Sequence, residues 1–234
     1  MNLVELRREL RAYSNPEQIQ NLQRFFKTGK GQYGENDKFL GIRVPHQRTI
    51  AKKYKQLNLK SVEKLLQSQW HEERLTAIHI LNLKYIIADE TEHKKIFDLY
   101  FKNIKHINNW DLVDSSAPYF IGNYLFNRNI NVLYKLVKSN NLWERRIAIM
   151  STFYFIRQGQ FEDTLKLAKI LLEDKHDLIQ KAVGWMLREV GNRNMVTEEL
   201  FLKRYGRKMP RTMLRYAIEK FPDKKRKGYL YDNR

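Results

Sequence analysis

The feature that most constrains this sequence is an internal period of roughly 35 residues. Three six-residue segments share a layout of an acidic or amide residue, a basic residue, two variable residues, a small residue and a large apolar residue, and the same period adds two further segments. Their first residues are 73, 109, 144, 180 and, in a looser copy, 213. Periods of this size are typical of stacked helical hairpins, because one hairpin cannot bury its apolar face alone. The period therefore predicts an all-α, right-handed solenoid; chance similarity among amphipathic helices is the alternative.

Helix signals elsewhere agree with this prediction. Only ten glycines and five prolines interrupt 234 residues, which favours long helices over many short strands. Asn15-Pro16 and Val44-Pro45 are typical helix starts, and Ser61 is expected to cap another helix. Pro118 is expected early in a helix or at a kink. We expect a single repeat domain over residues 1–234.

The charge of the chain limits its partners. Lys and Arg number 44 against 26 Asp and Glu, a formal charge of +18. The excess is concentrated in a basic C-terminal segment, residues 203–234, with twelve basic and three acidic residues. Such a charge attracts polyanions, above all the phosphates of nucleic acids. We therefore expect a concave basic face that binds DNA; a solubility role and an anionic membrane surface are the weaker alternatives.

Several classes of protein are excluded by what the sequence lacks. There is no cysteine, which removes disulfides, thiolate metal sites and a cysteine nucleophile. The six histidines show no ligand spacing, so we expect no metal and no cofactor. Residues 1–11 do not resemble a signal peptide, and no stretch has the apolar length of a membrane span. We expect a cytoplasmic protein, nucleoid-associated in a bacterium.

One repeat breaks the pattern of its sisters at the sixth position. That residue is apolar in four copies but Asp114 in the copy that begins at 109, and local departures of this kind mark functional sites. Trp110, four residues earlier, shares a helical face with Asp114. Because stacked repeats superpose, Arg146 and Trp185 are expected on the same concave surface. A core role for the tryptophans and a simple ion pair for the carboxylate are the alternatives.

Further basic residues follow in the later repeats. Arg145, Lys181 and Arg188 are candidates for contacts with DNA phosphates, with Glu189 orienting Arg188. Ordinary surface ion pairs would explain these charges equally well.

A glycine-rich segment, residues 28–42, is the second departure from the repeat. Its glycines match a G-x-G-x-x-G pattern, but a helix precedes it and no phosphate-binding Lys-Ser or Lys-Thr follows. We expect a turn or short hairpin. Lys30, Tyr33 and Lys38 are candidates for contacts with a DNA groove, and a plain connection between helices is the alternative.

At these residues the sequence resembles the AlkD-like family of DNA alkylation repair proteins, which are built from HEAT-like helical repeats. The resemblance lies in three segments and extends from about Leu22 to the C-terminus: Trp110-Asp111-Leu112-Val113-Asp114, Trp143 to Ile149, and Gln180 to Glu189. It is strengthened by a further segment, Met209 to Ile218.

The resemblance implies a glycosylase that excises 3-methyladenine- and 7-methylguanine-type bases from double-stranded DNA without flipping them. It implies that Asp114 is the catalytic carboxylate, that Trp110 and Trp185 contact the lesion, and that Arg146 holds the backbone. Phe25 stands where the best-understood members carry Tyr, so one hydroxyl contact is missing. A binder of branched or distorted DNA with little catalysis is the alternative, and we expect a monomer in either case.

Overall fold

The computed structural model describes residues 2–232 and divides the chain into two compact units. The first unit is Met1–Ser116 and the second is Ala117–Arg234. Within the described residues all regular structure is helical, apart from an isolated bridge between Lys38 and Trp70. The all-α prediction is confirmed, whereas the single domain over residues 1–234 stays a prediction. Asn233 and Arg234, at the end of the predicted basic segment, lie outside the described residues.

The first unit is built around α5, which packs against α3, α4, α6 and α7. A 3₁₀ turn, Ile104–His106, precedes the last helix of this unit. The helices are α1 (Leu3–Arg11), α2 (Pro16–Phe25), α3 (Val44–Lys53), α4 (Leu59–Leu66), α5 (His71–Ile87), α6 (Glu90–Lys102) and α7 (Trp110–Asp114).

The second unit is built around α10 and α12, which pack against each other. It opens with a π-helical turn, Ala117–Ile121, that contains Pro118, so this proline lies at the predicted irregularity. The helices are α8 (Gly122–Leu125), α9 (Asn131–Leu136), α10 (Leu142–Arg157), α11 (Glu162–Ile170), α12 (Asp177–Gly191), α13 (Met195–Tyr205), α14 (Arg211–Ala217) and α15 (Asp223–Lys227).

The sequence period corresponds to helical hairpins. The repeat segments lie on α5, α7, α10, α12 and α14, each of which follows another helix of the chain: α4, α6, α9, α11 and α13. The fifth residue of every segment is fully buried or nearly so, as Ala77 and Ala148 are. The helical repeat inferred from the sequence is therefore present within each unit.

Gly184 shows why the fifth position must be small. A Cβ atom at this residue would lie 2.5 Å from Cβ of Tyr216 and even closer to the carbonyl oxygen of Met213, both on α14. Helices α12 and α14 therefore approach each other backbone to backbone at this glycine.

The predicted helix starts are mostly confirmed. Asn15 caps α2 by accepting a hydrogen bond from the backbone of Glu17, with Pro16 in the first turn, and α3 begins at Val44. The expected cap at Ser61 is wrong, because the Asn58 side chain caps α4 and accepts from the Ser61 N–H. Asn precedes the first helical residue directly, and Ser61 already lies inside the first turn.

None of the helices in the described part of the chain combines the length and the apolar character that a membrane span requires.

Candidate functional site

Helix α7 carries Trp110 and Asp114 at its two ends. The buried Asn109 caps the helix, since its side-chain oxygen accepts from the Trp110 N–H at 2.9 Å. At the other end, the Ser115 carbonyl accepts from Nδ2 of Asn82 on α5 at 2.7 Å. A helix of five residues is too short to be stable alone, so these anchors fix both candidate residues.

Trp110 belongs to a cluster of aromatic rings. Its ring stacks on Phe26 at a centroid distance of 5.3 Å and meets the edge of Phe25 at 5.7 Å. Phe26 is buried, whereas Phe25 is 62% exposed. The cluster therefore presents an exposed aromatic edge beside a partly exposed indole.

Asp114 departs from its sister residues in burial as well as in type. Ile78, Ile149 and Ile218, the sixth residues of three other repeats, are all completely buried. Asp114 and Trp185 remain partly exposed. Burial raises the pKa of the nearby Tyr100 phenol well above its usual range, and the negative charge of Asp114 adds to this. Asp114 is thus a partly exposed residue whose negative charge acts on its surroundings.

Sequence reasoning missed a charge cluster in the first turn of α5. His71, Glu72, Glu73 and Arg74 are consecutive charged residues, yet none is more than 3% exposed. Burial on this scale requires that every charge be paired or hydrogen-bonded. The only signal in the sequence is the run itself, which looks like an ordinary exposed helix start.

The members of this cluster hold other segments of the first unit in place. The Glu72 carboxylate accepts from the backbone N–H groups of Leu40, Gly41 and Ile42 at 2.9–3.2 Å. Glu73 pairs with two arginines of α1, Arg7 at 2.9 Å and Arg11 at 3.0 Å. The first turn of α5 therefore fixes both α1 and the end of the glycine-rich segment.

His71 lies between two carboxylates. Its Nδ1 is 2.8 Å from Asp37 and its Nε2 is 2.8 Å from Asp111 of α7. Burial alone would lower the pKa of His71, but the charges and hydrogen bonds of Asp111 and Asp37 outweigh it and raise the pKa to about 9. Both imidazole nitrogens are occupied, so His71 has no nitrogen left for a metal ion.

Asp37 is held by other partners as well. Arg74 donates to its Oδ1 at 2.6 Å, and Asn109 donates to its Oδ2 at 3.3 Å. Burial works to raise the pKa of Asp37, but the bonds to His71 and the charges of His71 and Arg74 prevail and lower it. The end of the glycine-rich segment is thereby linked to both α5 and the start of α7.

The glycine-rich segment, residues 28–42, is a series of turns between α2 and α3 and not a hairpin, in the part of the chain that the structure describes. Lys30 and Lys38 are exposed, although Lys38 donates to the Gln69 side chain at 3.0 Å. The Tyr33 hydroxyl donates to the Phe25 carbonyl at 3.4 Å. The positions of these side chains do not test the contact between this segment and DNA, which stays a prediction.

In the second unit, Arg146 and Trp185 lie on α10 and α12. Arg146 is 5% exposed and donates to the Leu178 carbonyl at the start of α12. Trp185 is partly exposed, and its indole N–H donates to Glu189 at 3.2 Å. Their relation to DNA stays a prediction.

The other basic candidates of the second unit all have acidic partners. Arg145 pairs with Asp174 at 2.7 Å, Lys181 with Asp177 at 2.6 Å, and Arg188 with Glu219. The expected pairing of Glu189 with Arg188 is wrong, because Glu189 binds Arg193 and Trp185. Side chains four residues apart, such as Glu189 near the end of α12 and Arg193 just beyond it, lie closer together than adjacent ones.

Comparisons with known proteins agree with this description. The family model described as DNA alkylation repair enzyme matches residues 6–221. Among solved structures, a predicted DNA alkylation repair enzyme from Enterococcus faecalis has a TM-score of 0.69 at 18% identity. That match covers 90% of this chain and 97% of the other, and it shows a shared fold. No match was found among the curated proteins. Because the family match spans nearly the whole chain, this protein belongs to the DNA alkylation repair enzyme family.

Proposed function

We propose that this protein is a DNA glycosylase that excises cationic alkylated purines, of the 3-methyladenine and 7-methylguanine type, from double-stranded DNA. The observation that carries the proposal is Asp114, a partly exposed acidic residue at a position where three sister repeats bury isoleucine. It lies one helical turn from Trp110, whose indole is supported by the rings of Phe25 and Phe26.

The chemistry suits a single carboxylate. Alkylation at N3 or N7 makes the purine cationic, so the base leaves as a neutral molecule with the electrons of the glycosidic bond. Positive charge develops on the deoxyribose, and the negative charge of Asp114 stabilises it. A water molecule then bonds to C1′ and gives up one proton, for which Asp114 is a suitable acceptor. No cofactor takes part in this proposal.

Aromatic faces provide recognition of the charged base. An indole face attracts a cation by about 0.5–2 kcal/mol, which discriminates an alkylated purine from a neutral one. We assign this role to Trp110 and Trp185. In this proposal the lesion stays in the duplex, and Phe25 supplies a further apolar contact without the hydroxyl of a tyrosine.

Electrostatics supplies the remaining affinity. The net charge of +18 favours binding to DNA phosphates. We assign backbone contacts to Arg146 and, more weakly, to Arg145, Lys181 and Arg188. Because the last three are paired with carboxylates, a phosphate would have to compete with those partners. A monomer suffices for this mode of binding.

A second candidate function is tight binding of branched or distorted DNA with little catalysis. It is favoured by Phe25, which has no hydroxyl to offer a lesion, and by the basic residues of segment 203–234. Both candidates require DNA binding, and they differ only in whether a base is released.

The test is incubation of excess protein with a duplex that carries a single 7-methylguanine, followed by cleavage at abasic sites. The glycosylase proposal predicts an abasic product at the lesion and none in the matched unmodified duplex. Binding of the lesion duplex or of a four-way junction without any abasic product would instead establish the second candidate.

A further inference from the structure

Two separate routes connect the buried imidazole of His71 to Trp110. The first is electrostatic, from Nε2 of His71 to the Asp111 carboxylate at 2.8 Å, and Asp111 directly follows Trp110 in α7. The second passes through aromatic rings. The ring of Phe26 lies 4.8 Å from the His71 ring and 5.3 Å from the Trp110 ring, centroid to centroid.

The geometry requires a charged imidazole. Ionised carboxylates only accept hydrogen bonds, and a neutral imidazole has one N–H group. Both ring nitrogens of His71 lie 2.8 Å from carboxylate oxygens, so only the imidazolium donates to both. Deprotonation would leave one carboxylate facing a lone pair inside the first unit, with His71 and Asp37 each about 2% exposed at the side chain.

Two phenylalanine rings that pack against His71 and against each other fit the same charge. Phe39 lies 4.7 Å from the imidazole at an interplanar angle of 24°, and Phe26 lies 4.8 Å away. Ring faces attract cations, and the attraction strengthens when water is excluded. An imidazolium therefore holds Phe26 in place, and Phe26 in turn forms the surface on which Trp110 stacks.

We infer that His71, as an imidazolium, is the positioning residue of the candidate site: it fixes α7 through Asp111 and Phe26, and it couples α7 to the glycine-rich segment through Asp37. It touches neither DNA nor the reacting atoms. The inference deepens the proposed function and rests on it for its catalytic consequence, whereas the positioning of Trp110 stands independently.

The other charged groups near His71 lie on three helices, α3, α5 and α7. Arg74 of α5 binds Asp37, to which the neutral side chain of Asn109 also donates. The charges of Asp111 on α7 and of Arg48 on α3 both act on His79 of α5, whose pKa is lowered to about 4, first by burial and then by Arg48. His79 is therefore neutral at pH 7.5, and the carboxylates of Asp37 and Asp111 leave His71 as the charged imidazole of the cluster.

The experiment uses the full chain in which Asp111 is changed to Asn, with Asp98→Asn as the matched control on α6. Asp98 is exposed and pairs with Lys94, four residues earlier on the same helix. In Asp111→Asn, His71 retains its bond to Asp37, so the fold is less at risk than in His71→Gln. His71→Gln serves as the second variant and removes both routes at once.

Three readouts are compared. In ¹⁵N-histidine spectra at pH 7.5, wild-type His71 is expected to carry protons on both ring nitrogens. The indole N–H resonance of Trp110 is expected to shift or broaden in Asp111→Asn and His71→Gln, and those of Trp143 and Trp185 to stay unchanged. Release of 7-methylguanine in a single turnover is expected to slow about 10- to 100-fold in Asp111→Asn, as for misplacement of a reacting group.

Each outcome decides one of two claims: that His71 positions Trp110, or that the protein releases the alkylated base. A neutral His71 at pH 7.5, or an unchanged Trp110 resonance in both variants, overturns the positioning role. A shifted Trp110 resonance with both nitrogens protonated supports it even if wild type releases no base, in which case the proposed function fails alone. A release rate that is equally reduced in Asp98→Asn would mean that surface charge, not positioning, is responsible, and would also overturn the inference.

Discussion

The first turns of α5 and α10 carry the same repeat signature, yet they bind neighbouring segments of the chain through different interactions. Arg74 and Arg145 occupy the same repeat position, and each donates to a carbonyl six residues earlier, Ser68 and Ser139, at 3.0 Å. Each also pairs with a carboxylate, at 2.6 Å and 2.7 Å. The arginine is therefore a structural element of the repeat that holds the loop between two helices.

The glutamate directly before this arginine is common to both repeats, as Glu73 and Glu144, but the two residues before it differ. In α5 they are His71 and Glu72, both buried and both bound to other segments. In α10 the position of Glu72 is occupied by Trp143, which is buried as an apolar group. At this position one repeat buries a carboxylate that binds another segment, and the other repeat buries an aromatic ring. The comparison teaches that a charge at a buried repeat position is informative only once its partners are known.

The largest expected effect concerns the two arginines. Arg74→Met removes the guanidinium that pairs with the buried carboxylate of Asp37. We expect a loss of about 3–5 kcal/mol in the free energy of unfolding. Arg145→Met affects a pair with more solvent access, 17% at the arginine side chain, and we expect a loss of about 1–3 kcal/mol. Urea unfolding followed by circular dichroism measures both; equal losses would contradict the distinction drawn between the two turns.

A second prediction compares two glycines of the second unit. Gly184→Ala forces a methyl group against the backbone of α14 and is expected to cost about 1–3 kcal/mol. Gly206→Ala is the control, because nothing lies within 4 Å of its Cβ position, and we expect it to change stability by less than about 1 kcal/mol. Thermal unfolding of the two variants side by side provides the measurement. Similar stabilities would show that α12 and α14 separate easily.

The small fifth residues could be predicted from the sequence because helix period and side-chain size are local properties. The helical class and the hairpin repeat follow from the same pattern, and Asp114 stands out because its sisters are apolar. The charge cluster could not be predicted. His71 and Asp37 are 34 residues apart, and no periodicity connects a turn in the glycine-rich segment to the start of α5. Whether a carboxylate is exposed or buried depends on such distant partners.

A third prediction concerns the pH dependence of stability, to which each unit contributes one titrating group. Burial of Glu198 raises its pKa to about 8, and the carboxylates of Asp111 and Asp37 raise the pKa of His71 to about 9. Both groups hold a proton in the folded state that the unfolded chain has lost by neutral pH. Their stabilisation is complete below the unfolded pKa values and is lost as the pH rises through 8 and 9, by about 1.4 kcal/mol per pH unit for each proton.

The measurement is the free energy of unfolding between pH 7 and pH 9 in wild type, Glu198→Gln and Asp111→Asn. Glu198→Gln is expected to remove the part of the slope that ends near pH 8, and Asp111→Asn to weaken the part that continues towards pH 9. A wild-type stability that rises with pH in this range would refute both assignments.

The smallest expected effect concerns the glycine-rich segment. If Lys30 contacts a phosphate, Lys30→Ala reduces the slope of log Kd against log salt by about one unit and weakens binding only slightly. Lys94→Ala, which removes an exposed charge from α6, is the control. Titration of a labelled duplex at several salt concentrations gives the slopes. Identical slopes for both variants and wild type would show that this segment is only a connection between helices.

The most direct test of the proposed function measures base release and DNA affinity on the same duplex, for wild type and Asp114→Asn, with Asp98→Asn as the control. We predict that Asp114→Asn slows single-turnover release of 7-methylguanine by about 100-fold or more and changes Kd by less than about threefold. Release at the wild-type rate by Asp114→Asn, or loss of release and binding together, would contradict a catalytic role for this carboxylate.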